Sequence, residues 1–188
     1  MCETLCGLNY KIIGTENIPS EKGVVFIKHS SVYELFVGLL LFSPSSWVAK
    51  QELMYLPLFR NAIKVFNFIP VKRGFGRSQV TRVIREGTER LSEGKWIVIF
   101  PEGTRVVHGM TKKYGISGAL LAVGTKSDIT PIAHNAGKYW GRRALLKKKG
   151  TIVFSVGNKI STVGKTYDEV NHEAKVWIDG EVKRLDGL

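Results

Sequence analysis

The stretch VVFIKHSSVYELFVGLL, residues 24–40, joins two apolar runs through a short polar segment. Its first four residues show no polar alternation, the pattern of a strand covered on both faces, as strands are between layers of helices. The second run, Val32–Phe42, has the length and composition of a helix. Strand, polar turn and helix together form the unit from which layered α/β domains are built. His29 and Glu34 stand in the turn, five positions apart. Five steps correspond to about 140° around a helix, so the two side chains cannot share a helical face. They meet only if His29 precedes the helix and Glu34 lies in its first turn.

Two readings of that pair are open at this point. Ser31-Val32-Tyr33-Glu34 fits the S-x-x-E capping box, in which serine and glutamate satisfy each other's backbone N–H groups. His29 then merely closes a strand. Alternatively Glu34 holds one imidazole nitrogen and leaves the other as a base.

Further strand-like runs lie at Trp47–Ala49, Phe68–Val71, Trp96–Phe100, Ile129–Ala133 and Thr151–Val156. Helix-like segments fall at Glu52–Lys64, Arg77–Ser92 and Gly115–Val123. A last segment, Asp168–Leu185, sets Val170, Ala174, Trp177, Ile178, Val182 and Leu185 on one stripe. The alternation predicts a single α/β domain over residues 1–188. A central, largely parallel or mixed sheet is flanked by helices, and the strand and helix of 150–186 complete the fold.

A chain of 188 residues with 44% hydrophobic and 23% charged side chains supports one globular core and excludes disorder. Its 28 basic residues against 16 acidic ones leave a charge of +12, which points to an anionic partner: nucleic acid, a membrane surface or a phosphate-bearing substrate. No nucleic-acid-binding motif is present. Cys2 and Cys6 would close only a tiny disulfide loop and offer no metal pattern, so they read as reduced thiols. No secretory signal is visible. The longest apolar run, Leu35–Phe42, falls well short of the roughly 20 residues that span a bilayer.

Three more segments place polar groups at strand ends, where open α/β sheets bind ligands. WIVIFPEGTR (96–105) runs from an apolar strand into a glycine turn and an arginine whose planar fork suits phosphate. FIPVKRGFGRS (68–78) delivers Lys72 and Arg73 to the same rim, without a Walker lysine or full dinucleotide spacing. ITPIAHNAG (129–137) ends in His134 and Asn135; a lone strand-end histidine is usually structural, so His134 is given no catalytic role. Each segment taken singly also fits an ordinary solvated turn.

Taken in order, His29-x4-Glu34, FIPVKR, FPEGTR and PIAHNAG resemble the four blocks of the glycerol-phosphate acyltransferase superfamily, nearest its bacterial lysophosphatidate acyltransferases. The resemblance runs from about Gly7 through GTENIP (14–19) to VWIDGEV (176–182), with the catalytic blocks within about 23–137. It implies transfer of a fatty acyl group from acyl-CoA or acyl carrier protein to the sn-2 hydroxyl of lysophosphatidate, giving phosphatidate, without cofactor or metal. His29 is then the base and Glu34 its orienting acid. Arg73, Glu102, Gly103, Thr104 and Arg105 hold the glycerol phosphate, with Glu102, an anion, positioning a hydroxyl or an arginine. Pro131 shapes the fourth block beside the acyl chain. Three departures stand out: Glu34 replaces the more frequent Asp, Lys72 occupies a place often held by Asp, and no apolar helix precedes the first strand. Sister enzymes that acylate another lysophospholipid or glycerol 3-phosphate share the same blocks. The basic surface, Arg142–Lys149 included, leads to the expectation of an anionic membrane surface as partner and a peripheral place at the cytoplasmic face of the membrane.

Overall fold

The computed structural model describes residues 7–55, 66–72 and 76–187. Its strands are β1 (Leu8–Ile13), β2 (Val24–Ile27), β3 (Ser45–Lys50), β4 (Ile69–Val71), β5 (Trp96–Ile99), β6 (Ile129–His134) and β7 (Gly150–Val156). Its helices are α1 (Tyr33–Leu41), α2 (Gly76–Ser92), α3 (Ser117–Thr125), the short turn α4 (Ala136–Tyr139) and α5 (Tyr167–Asp186). The strands form one sheet in the order β1-β7-β6-β2-β5-β3-β4. From β6 to β4 every neighbour is parallel. β7 runs antiparallel to β6 and parallel to β1, so the sheet is mixed.

The apolar strands of the sequence lie at its centre for the reason their composition suggests. Val24 and Phe26 of β2, with Ile97 and Ile99 of β5, face α2, α3 and α5. Val25 and Ile27, with Trp96 and Val98, face the opposite layer, which contains α1 and α4. α5 presents the stripe read from sequence: Val170, Ala174, Ile178, Val182 and Leu185 are buried, with Asn171 among them. It begins at a complete capping box between Thr166 and Glu169.

Two expectations are refined. The strand β1 is absent from the sequence reading because it is an edge strand with Asn9, Tyr10 and Lys11 exposed, which leaves little apolar signal. The segment expected as helix Glu52–Lys64 opens as the 3₁₀ stretch Gln51–Tyr55, and 56–65 lie outside the described residues. Cys2, Cys6 and Arg73 lie outside them too.

Placement at the cytoplasmic face of a membrane is corrected. Among the described residues no helix is long and apolar enough to cross a membrane. The most apolar run of the sequence instead forms α1, nine residues long, with Val37 and Gly38 buried and Phe42 closing against Trp96.

Helix layers sit close to the sheet where side chains are missing. A Cβ at Gly118 of α3 would fall 2.6 Å from the ring of Phe26, itself fully buried, whereas one at Gly124 on the same helix would meet nothing within 4 Å. Gly118→Ala is therefore expected to destabilise by about 1–3 kcal/mol through overpacking. Gly124→Ala is expected to be neutral or to stabilise by up to about 1 kcal/mol through helix propensity. Urea denaturation of the two variants checks both, and equal midpoints would contradict the close approach.

Candidate active site

β2 and β5 are adjacent and parallel, so the turns that follow them meet at one rim of the sheet. His29 lies just beyond β2 and Glu102–Arg105 just beyond β5. The imidazole of His29 stacks on the ring of Phe100, with centroids 3.9 Å apart and planes 17° from parallel. Its backbone is held at both ends: its N–H donates to Glu102 Oε2 at 3.2 Å, and its carbonyl accepts from the Val106 N–H at 2.7 Å.

Glu34 lies in the first turn of α1, and its Oε1 is 2.8 Å from His29 Nδ1. The same carboxylate accepts the backbone N–H groups of Ser30 at 3.2 Å and of Ser31 at 3.0 Å. One carboxylate thus serves two contacts at once. The glutamate reaches back to the turn as in a capping box, and it holds the histidine. The serine half differs, because Ser31 Oγ accepts from Tyr33 N–H rather than from Glu34. A carboxylate can only accept, so it keeps the proton on Nδ1 and makes Nε2 the basic nitrogen.

Glu34 is fully buried. That burial pushes its carboxyl up to about 7, against the opposing pull of His134, the backbone N–H groups and Arg105. His134 is equally buried. Its Nε2 donates to the Lys28 carbonyl at 2.7 Å, its Nδ1 accepts the Ala136 N–H at 3.2 Å, and Nε2 stands 3.8 Å from Glu34 Oε2. Burial holds its pKa below the ordinary histidine value, and both of its ring nitrogens are engaged.

A cavity of about 720 Å³ opens at this rim. Its lining includes the apolar Leu35, Trp47, Leu53, Phe68 and Val83. It also includes His29, Thr104 and the cations Lys50, Lys72, Arg105, Arg142 and Arg143, with no carboxylate among the described residues. Gly103 also lines it, in a left-handed conformation (φ 64°) that turns the chain after β5 and favours glycine.

Of the residues singled out in the sequence, the cavity gathers His29, Gly103, Thr104 and Arg105, with Glu34 directly behind His29. Glu102 is turned away from it. Its carboxylate is 3% exposed or less and lies 2.7 Å from Lys28 Nζ. Pro131 is on β6 opposite Phe26 and is not part of the cavity wall. Asn135 of the same block ties β7 to α5, accepting from Val153 N–H and donating to the Leu185 carbonyl. Sequence reasoning missed Lys28, Phe100 and the two cavity arginines of the loop after α4. A lysine closing a wholly apolar strand was the one available signal.

The acyltransferase family model matches residues 9–135. This chain belongs to the acyltransferase family. Within the glycerol-phosphate acyltransferase superfamily it falls in the branch typified by lysophosphatidate acyltransferases. It is 35% identical to the 1-acyl-sn-glycerol-3-phosphate acyltransferase of Pseudomonas aeruginosa over 191 aligned residues, covering 100% of this chain and 74% of that protein. The protein of the same description from Borreliella burgdorferi is 24% identical, with 98% and 74% covered. The crystal structure of the 1-acyl-sn-glycerophosphate (LPA) acyltransferase of Thermotoga maritima shares the fold, with a TM-score of 0.81 over 96% of this chain and 73% of that one, at 19% identity.

The raised carboxyl of Glu34 has opposite consequences for activity and stability. Holding Nδ1–H requires the anion, so turnover is expected to rise as pH climbs through about 7. A carboxyl whose folded pKa exceeds its unfolded value stabilises fully only below the unfolded value, here about 4.5, and loses that contribution as pH rises through about 7. The Tm of the wild type relative to Glu34→Gln is therefore expected to fall across that window. Thermal melts and turnover from pH 4.5 to 8 check both signs, and a Tm difference that ignores pH would place the ionisation of Glu34 elsewhere.

Proposed function

We propose that this acyltransferase moves a fatty acyl group from acyl-CoA or acyl carrier protein to the sn-2 hydroxyl of lysophosphatidate, forming phosphatidate. The observation that carries the proposal is the His29 Nδ1–Glu34 contact of 2.8 Å at a cavity lined by both apolar and cationic residues. An acyl chain suits the apolar residues, and a phosphate monoester suits Arg105, whose guanidinium can pair with two phosphate oxygens. Arg73, outside the described residues, is proposed to share that phosphate with Arg105. The relatives' descriptions as 1-acyl-sn-glycerol-3-phosphate acyltransferases support the choice of acceptor.

In the proposed reaction the acceptor hydroxyl attacks the thioester carbonyl while His29 Nε2 takes its proton. Glu34 fixes the tautomer and stabilises the imidazolium, as the acid does in a Ser-His-Asp triad. The substrate hydroxyl takes the place of the serine, so no acyl-enzyme forms. As the tetrahedral centre collapses, the carbon–sulfur bond breaks and the imidazolium returns the proton to the departing thiolate. Gly103 and Thr104 shape the turn that carries Arg105.

The decisive assay supplies radiolabelled lysophosphatidate with acyl-CoA and, separately, with acyl carrier protein thioester, and resolves the product by chromatography. Phosphatidate is expected; acylation of glycerol 3-phosphate or another lysophospholipid in its place would reject the acceptor assigned here. His29→Ala is expected to lose about 10²–10⁴-fold in turnover, the usual scale of a general base, and wild-type turnover in that variant would refute the mechanism.

Arg105→Lys keeps the charge and loses the planar fork. It is expected to raise the KM for lysophosphatidate while leaving the Tm near that of the wild type. Unchanged acceptor kinetics in a folded variant would remove Arg105 from the phosphate site.

A further inference from the structure

Lys28, the residue before His29, has every polar group engaged although it is 2% exposed. Its N–H donates to the Ile132 carbonyl at 3.0 Å, and its carbonyl accepts from His134 Nε2 at 2.7 Å. Its Nζ lies 2.7 Å from Glu102 Oε1 and donates to the Met110 carbonyl at 3.3 Å. Glu102 is held at further points: Oε2 accepts the His29 N–H, and its own carbonyl accepts from Lys112 Nζ at 3.1 Å. The pair thus links the turn after β2 to the turn after β5 at the backbone of His29.

A buried ion pair is a poor source of stability. Desolvating two charges offsets most of their attraction, and apolar replacements of similar volume often do as well or better. What the pair supplies here that an apolar contact would not is direction. Glu102 uses one oxygen on the ammonium and the other on the His29 amide, so the ammonium fixes the carboxylate and the carboxylate fixes the histidine backbone. Burial raises the Glu102 carboxyl, and the Lys28 charge is the main force opposing that rise. Without the lysine, the carboxylate that holds the His29 N–H would lose its counter-charge.

We infer that Lys28 and Glu102 are positioning residues for His29, a buried clamp rather than a substrate contact. The inference rests on the proposed role of His29 as base. Displacing a catalytic group by about 1 Å can cost about 10²-fold in rate. The clamp therefore acts on the chemical step and leaves acceptor binding to the cavity wall, to which neither side chain belongs.

The test compares the wild type with Lys28→Met, Glu102→Gln and the double variant Lys28→Met/Glu102→Leu, which removes both charges together and so avoids leaving one buried charge unpaired. Three quantities are read: the Tm, the kcat and KM for lysophosphatidate, and the hydrogen-exchange rate of the His29 amide. The double variant is expected to recover most of the Tm, to lose about 10–100-fold in kcat at an unchanged KM, and to exchange the His29 amide at least tenfold faster. Recovery of kcat along with the Tm would overturn the inference by making the pair merely structural. A raised KM with unaltered kcat would overturn it by returning Glu102 to the substrate. The amide readout separates this inference from the proposed function. Were the wild type to acylate no acceptor, the function would fall. Accelerated exchange at His29 would still report the clamp, and unchanged exchange would dismiss it.

Discussion

A carboxylate with no access to solvent must be met by donors, and in this protein Glu34 is met by an imidazole and by the backbone N–H groups of the turn that leads into α1. That requirement shapes the surroundings of the site. It dictates the path of residues 29–31, because their donors have to converge on one side chain. It orients the imidazole against Phe100. It also brings the fourth block into place: His134 sits behind Glu34, and a Cβ at Gly137 would lie 2.8 Å from Ser30 Oγ. Burial makes the anion costly, and the hydrogen bonds offset that cost only in one geometry. A buried charge thereby becomes a source of precision.

The sequence announces the central strands because they are buried on both faces, and VVFI and WIVIF have no other reason to be apolar throughout. The stripe of α5 is legible for the corresponding helical reason. β1 is hidden by its exposure at the sheet edge. The antiparallel direction of β7 has no signature in its own residues, since direction is set by the connection before it. At the site, His29 and Glu34 are local in sequence, and the offset of five positions restricts how they can meet. The partner of Glu102 is a different matter. Lys28 lies 74 positions earlier, and only the parallel pairing of β2 with β5 brings the two together. The resemblance to the family named Glu102 and Pro131 as groups near the substrate; the structure turns the first toward Lys28 and sets the second in the sheet.

The cavity divides its labour between two kinds of residue from different parts of the fold. Its apolar lining draws on β3, on the edge strand β4 and on α2, while the cations come largely from loops at the rim. Part of the +12 charge thus lines a cavity, the exposed Arg142 and Arg143 included. A lining of both charged and apolar residues suits an amphiphile, whose ends differ in solvation.

The strand order also governs when the chain can acquire this site during synthesis. By the time Val106 has been made, His29, Glu34, Glu102 and Arg105 all exist, and β2 can pair with β5. Yet β6 is still missing, so the other edge of β2 is open and the N–H and carbonyl of Lys28 have no mates. The first strand waits longer still: β1 pairs only with β7, the last. Pairings this distant in sequence close slowly, and an open apolar edge is prone to wrong associations in the interval. The nascent chain therefore carries most of its chemistry long before it has a place to perform it, and it depends on its final third to close the sheet around residues made in its first.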